Sequence, residues 1–154
     1  MFTFLMRKHS SNYQVIAARN KKQYWLSRWV NIQGRDDVSL GIYKRGWRKR
    51  RTADMVSSIV VLKDTPRPDV WFLQAVQTQK QYRNLGLATI LINRVIEEAK
   101  KSGAEYVIGW AKPIPHTDAE PNFDLFHWYA KWGFVRGILP QVEGLPHNFV
   151  LRLR

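Results

Sequence analysis

One continuous stretch limits the folds open to this chain more than any other. From Val70 the sequence reads VWFLQAVQT, breaks at a short polar turn, continues as QYRNLGLATILINRVIEEAKKSG to Gly103, and then reads EYVIGWA to Ala111. The first run is apolar without strict alternation, as suits a strand in the middle of a sheet. In the second, Leu87, Ile90, Leu91, Val95 and Ala99 share one helical face, while Asn93, Arg94, Glu97, Glu98 and Lys101 cover the other. Gly103 supplies a helix stop. The third run, Glu105 to Ala111, predicts another strand. Strand, helix, strand is a crossover, and a crossover brings its two strands side by side in parallel. The expected class is therefore α/β, or α+β in a looser vocabulary, with one mixed sheet flanked by a few helices.

The remaining elements are shorter. NYQVIAARN (Asn12–Asn20) predicts a first strand. KKQYWLSRWVNIQG (Lys21–Gly34) spaces Tyr24, Leu26, Trp29, Val30 and Ile32 roughly helically and stops at glycine, which predicts a short helix. VSLGIYKRG (Val38–Gly46) and MVSSIVVLKD (Met55–Asp64) are β-branched runs joined by a basic stretch, the pattern of a hairpin with a charged tip. NFDLFHWYAKW (Asn122–Trp132) predicts a helix with Asn122 near its N-cap, and FVRG and HNFVLRLR predict closing strands. At 154 residues and 45% hydrophobic content, a single domain over 1–154 is expected.

Absent residues narrow the chemistry. With no cysteine there are no disulfides, thiolate metal sites or cysteine nucleophiles. Four histidines without ligand spacing give no metal site. No apolar run approaches the roughly 18 residues of a membrane span. The apolar part of MFTFLMRKHSS is too short for a secretion signal, so a soluble cytoplasmic protein is expected.

The turn at Arg83 to Ala88 is the candidate site. A glycine between a strand and a helix lets several helix N-terminal N–H groups, which have no intrahelical partner, aim at one point. Gly86 and Ala88 are small enough for a ligand to approach the backbone, and Arg83, with Lys80 nearby, adds positive charge. The spacing Arg-x-x-Gly-x-Ala is neither a Walker loop nor a dinucleotide fingerprint. It also reads as an ordinary turn.

Two segments together carry a resemblance. YRNLGLATILINRVIEEAKKSG after a strand resembles the pyrophosphate-binding segment of the GNAT superfamily of N-acetyltransferases, Gln/Arg-x-x-Gly-x-Gly/Ala. NFDLFHWYAKWGF resembles that superfamily's Asn-x-x-Ala-x-x-Phe-Tyr-x-Lys-x-Gly-Phe helix, matching at Asn122, Tyr129, Lys131, Gly133 and Phe134. It departs at Leu125 and Trp128, where alanine and phenylalanine are usual. The likeness covers Val70 to Phe134, and residues 1–65 fit only in rough element order. It implies a mixed, mostly antiparallel central sheet flanked by about four helices. It implies acetyl-CoA as donor and direct attack by a primary amine in a ternary complex. By the same resemblance, Val76, Gln77 and Thr78 offer backbone groups to the pantetheine arm and the acetyl carbonyl. Arg83, Asn84, Leu85, Gly86, Leu87, Ala88 and Thr89 hold the pyrophosphate, Asn122 contacts the pantetheine end, and Tyr129 faces the thioester sulfur as its acid.

The base and the acceptor stay open. Asp69, His116, Asp118, Glu120 and His127 are the candidate bases, each of which reads first as an ordinary loop or surface residue, and a water chain needs none of them. The formal charge of +13 concentrates in KRGWRKRR (Lys44–Arg51) and the terminal RLR. Lys44, Arg45, Arg48, Lys49, Arg50 and Arg51 attract polyanions, or simply form a solvated tip. One reading is an acetyltransferase whose amine acceptor is acidic or nucleic-acid-associated. The other is a nucleic-acid-binding module on a GNAT-like scaffold without turnover. Seven tryptophans leave a homodimer open.

Overall fold

The computed structural model describes residues 9–29, 37–45, 54–111, 124–140, 142 and 145–154. Five strands come first, as an antiparallel meander: β1 (His9–Ala17), β2 (Gln23–Trp29), β3 (Asp37–Lys44), β4 (Met55–Leu62) and β5 (Val70–Thr78). The chain then leaves through a 3-10 turn (Lys80–Tyr82) and helix α1 (Leu87–Ser102), and returns as β6 (Tyr106–Gly109), parallel to β5. Helix α2 (Leu125–Ala130), β7 (Val135–Arg136) and β8 (Phe149–Arg152) follow. All eight strands form one sheet in the order β1-β2-β3-β4-β5-β6-β8-β7. The mixed, mostly antiparallel sheet matches the expectation, and the β5–α1–β6 crossover is where the sequence puts it. Two α-helices, against about four expected, are among the described residues.

The helix expected over Lys21–Gly34 is corrected to strand β2. Tyr24 and Leu26 are buried and two apart, the period of a strand. They line up against Ile16 and Gln14 on β1 and against Lys44 and Ile42 on β3. Two neighbouring strands satisfy both edges of this segment, and that tertiary pairing overrides a roughly helical spacing. Val30 and Ile32, which supported the helix, lie outside the described residues. The helix expected from Asn122 begins at Leu125, capped by Asp124, whose Oδ1 accepts from His127 N at 3.2 Å.

Helix α1 covers one face of the sheet. It buries Leu87, Leu91, Ile92, Val95 and Ala99 against Val38, Leu40 and Ile42 of β3 and Ile59 and Val61 of β4. Ile90, expected on that face, is only partly buried. Each fully buried Leu, Ile or Val here contributes roughly 1.5–3 kcal/mol relative to exposure. Arg28 pairs with Glu98 and Arg94 donates to Gln14, tying the helix to β2 and β1. On the opposite face, Val70 and Ile108 pack against Val142, with Leu139 and Leu145 beside them. His147 holds that cover: Leu139 N–H donates to Nε2 at 2.8 Å, so Nδ1 carries the proton and donates to Leu145 O at 2.8 Å. Among the described residues no helix is long and apolar enough to cross a membrane.

Candidate active site

The site begins as a break in pairing. β5 stays bonded to β4 from Phe72, opposite Leu62, to Thr78, opposite Ser57. Between Val61↔Leu73 and Val60↔Ala75 the register shifts, leaving Gln74 as an extra residue and bending the strand. The pairing of β5 with β6 stops at Leu73↔Gly109. Beyond that point Val76, Gln77 and Thr78 have β4 on one edge and, among the described residues, no paired strand on the other, a gap in the sheet. Ser57 Oγ, on the β4 side, donates to Gln77 O at 3.0 Å. Backbone groups alternate in direction along a strand, so those of Val76 point into the gap.

The far wall of the gap is fixed by a residue that the sequence did not single out. Asn148 Oδ1 accepts from Ala111 N at 2.8 Å, and its Nδ2 donates to Ala111 O at 3.4 Å. Its own N–H donates to Gly109 O at 2.9 Å. The side chain thus prolongs the β6–β8 ladder past its end, out to Ala111. Gly109 sits at the parting. A Cβ there would lie 2.5 Å from Phe149 Cζ and 3.3 Å from Leu73 O, so no larger residue fits. Asn148 is far from the motif segments in sequence, and no local pattern marks it.

The gap opens toward the turn before α1. Arg83 Nε donates to Thr78 O at 3.2 Å, folding the turn back on β5. Asn84 has φ 63, and Gly86, the N-cap, has φ 79 and ψ 11. No side chain caps this helix end, and its first turn holds no acidic residue. Ile90 N–H reaches Gly86 O at 3.1 Å. The N–H groups of Leu87, Ala88 and Thr89, before it, have no carbonyl within the helix. Among the described residues, then, no side chain caps the positive end of α1, which follows directly on the turn after β5. Arg19, from the β1–β2 turn, also lies here. Its N–H donates to Leu85 O at 3.0 Å, and its side chain runs beside Gly86.

Tyr129 is 7% exposed. Its ring stacks on Phe149 at 4.7 Å and meets the edge of Phe134 at 5.4 Å. Phe149 in turn packs over Gly109, so one aromatic neighbour links the tyrosine to the residue at which the β5–β6 pairing stops. Trp132 Nε1 donates to Asn93 Oδ1 at 2.7 Å, locking the end of α2 to α1. Burial pushes the Tyr129 hydroxyl up to about 12. Among the described residues nothing hydrogen-bonds to that hydroxyl. Tyr129 also lines a cavity of about 360 Å³ between α2 and β7, shared with His127 and Arg136.

Other candidates separate from this cluster. Asp69 precedes β5, at the end away from the gap, roughly 25–30 Å from Thr78 at 3.3 Å per strand residue. It is engaged by Arg67, with Nη2 to Oδ2 at 2.6 Å and Nε to Oδ1 at 3.1 Å, and this hydrogen bonding holds its carboxyl below the usual carboxylate value. It is not a base for this gap. His127 is exposed on α2. Lys44 sits with Nζ 5.4 Å from the Tyr82 ring, and Lys44 and Arg45 are exposed. Asn122, His116, Asp118, Glu120, Arg48, Lys49, Arg50 and Arg51 lie outside the described residues.

Comparison with known proteins bears on this geometry. The profile of the acetyltransferase (GNAT) family matches residues 8–134. A GNAT-family acetyltransferase from Staphylococcus aureus Mu50 superposes with a TM-score of 0.56 at 15% identity, covering 77% of this chain and 68% of that one. The PaiA N-acetyltransferase from Thermoplasma acidophilum, solved in complex with coenzyme A, gives 0.51 at 14% identity over 76% and 61%. The ribosomal-protein-S18-alanine N-acetyltransferase from Escherichia coli gives 0.50 at 15% over 77% and 68%. At such identities these structures speak to the fold. No curated protein sequence matches the chain. The family match spans the meander, the crossover and α2, and this chain belongs to the acetyltransferase (GNAT) family.

Proposed function

We propose that this protein, as one domain over 1–154, moves the acetyl group of acetyl-CoA to a primary amine by direct attack in a ternary complex. The observation that carries this reading is the gap beyond Leu73 and Gly109, with Val76 backbone groups on its wall and the uncapped start of α1 at its mouth. Val76, Gln77 and Thr78 hold the pantetheine arm and the acetyl carbonyl. The Val76 N–H serves as oxyanion donor, a contribution worth about 10²–10³ in rate in comparable sites. The turn Arg83, Asn84, Leu85, Gly86, Leu87, Ala88, Thr89 takes the diphosphate, and Asn122 contacts the pantetheine end.

Tyr129 donates a hydrogen bond to the departing sulfur. Its raised pKa, about 12, keeps the hydroxyl protonated at physiological pH. An alkyl thiol is a stronger acid than a hydroxyl held at about 12, so full transfer from the tyrosine is uphill in the ground state. Stabilisation of the developing thiolate is its main contribution. The amine must arrive neutral, and solvent carries off its proton.

The excess of positive charge supports an acceptor that is acidic or associated with nucleic acid. The same charge supports the second reading, a nucleic-acid-binding module without turnover. Calorimetry with acetyl-CoA, followed by thiol release with a panel of amines, decides between them. Tight donor binding with release for at least one amine is expected, and binding without release for any amine favours the second reading.

A further inference from the structure

We propose that Arg19 binds the diphosphate of CoA, making the β1–β2 hairpin part of the donor site. This rests on the CoA reading above and adds a residue outside both motif segments.

Three observations carry it. The arginine is anchored at the turn, since its N–H donates to Leu85 O at 3.0 Å, one residue before the N-cap of α1. Its side chain occupies the side of Gly86 that a Cβ would take. A Cβ built there would lie 3.3 Å from Arg19 Nε, 3.6 Å from Cγ and 3.8 Å from Cδ. The guanidinium therefore stands at the edge of the turn whose N–H groups are uncovered. Among the described residues it has no carboxylate or carbonyl partner, and it is exposed.

The electrostatics at this turn favour an anion. A cation beside a helix N-terminus faces the positive end of the dipole, an unfavourable placement by itself. The first turn of α1 supplies no acid to offset it. Arg83, the arginine of the motif, spends its Nε on Thr78 O at 3.2 Å. A phosphate group seated on the turn meets both the helix N–H groups and the planar fork of Arg19, which suits bidentate phosphate contact. With its backbone tethered, the arginine loses less freedom on binding than a free surface side chain does.

The test is calorimetry of the full chain with CoA and with dephospho-CoA, which lacks the 3′-phosphate but keeps the diphosphate. Arg19→Ala is expected to weaken both ligands by the same factor, about tenfold for a charge-assisted contact. Arg19→Gln, which keeps a stem over Gly86, is expected to match it, and thermal melts check that both variants fold. Lys22→Ala, a neighbouring exposed cation on the same turn, is expected to change either affinity by less than about twofold. Unchanged affinity in both Arg19 variants overturns the proposal, as does an equal loss with Lys22→Ala. A loss confined to CoA overturns the diphosphate assignment. If the unaltered chain binds neither ligand, the donor reading falls first and the role of Arg19 falls with it.

Discussion

Helix α1 begins and ends on a glycine, and the two are near twins in backbone conformation. Gly86 has φ 79 and ψ 11, and Gly103 has φ 85 and ψ 12. Each has an arginine beside the space of its missing side chain, Arg19 at 3.3 Å and Arg154 at 3.8 Å. Their surroundings differ in sign and in completeness. At the C-terminal end the Gly103 N–H reaches Lys100 O at 3.2 Å and Ala104 N–H reaches Ala99 O at 3.0 Å, so carbonyls are satisfied. Arg154 there sits where the dipole favours a cation. At the N-terminal end no side chain caps the helix, and Arg19 stands where the dipole opposes it. The same residue in the same conformation closes one end and leaves the other open for an anion.

The largest effect expected from this asymmetry is on donor binding. Gly86→Asp puts bulk and negative charge where the phosphates are to lie, and should weaken CoA by more than about a hundredfold. Gly103→Asp should leave the affinity within about twofold, since its end of the helix meets no ligand. Equal losses in calorimetry would break the comparison. Next in size is a change away from both ends. Tyr129→Phe should lower turnover by about a hundredfold while CoA affinity holds, as followed by thiol release and calorimetry. Full turnover in that variant would remove the acid.

Smaller effects are in stability. Gly86→Ala and Gly103→Ala should each destabilise by about 1–2 kcal/mol in denaturant unfolding, because both force a Cβ into the left-handed region. A much larger loss at one end would show that packing, not conformation, distinguishes them. Tyr129 gives a pH signature of similar size. Its folded pKa of about 12 lies above the unfolded value near 10, so the stability it contributes is complete below pH 10 and is lost as pH rises through 12. Relative to Tyr129→Phe, the unaltered protein should lose about 1 kcal/mol between pH 9 and 11. The smallest expected change is Arg154→Ala, about 0.3–1 kcal/mol of lost stability at low salt.

What the sequence disclosed follows the range of the forces involved. The β5–α1–β6 unit was legible because its signals are local: an apolar run, a glycine at a left-handed position and a helical period. Gly86 and Gly103 were both picked out that way, although their opposite roles depend on what surrounds them. Tyr129 was legible only through the second motif, since burial alone would make it one more core aromatic. Strand β2 was misread because only Tyr24 and Leu26 fit a strand's period while Trp29 breaks it, and only the presence of β1 and β3 decides. Arg19 and Asn148 escaped because each acts across the fold on a backbone far from its own place in the chain.

The clamp by Asn148 also orders events during synthesis. β8 lies downstream of the meander, the crossover and α2, and it is the side chain just before β8 that holds both backbone groups of Ala111. A nascent polypeptide that has emerged only as far as α2 lacks this clamp and has, among the described residues, only the Gln74 bulge to end the pairing of β5 with β6. On the reading proposed above, the far wall of the donor site is therefore complete only after residue 148 has joined the fold.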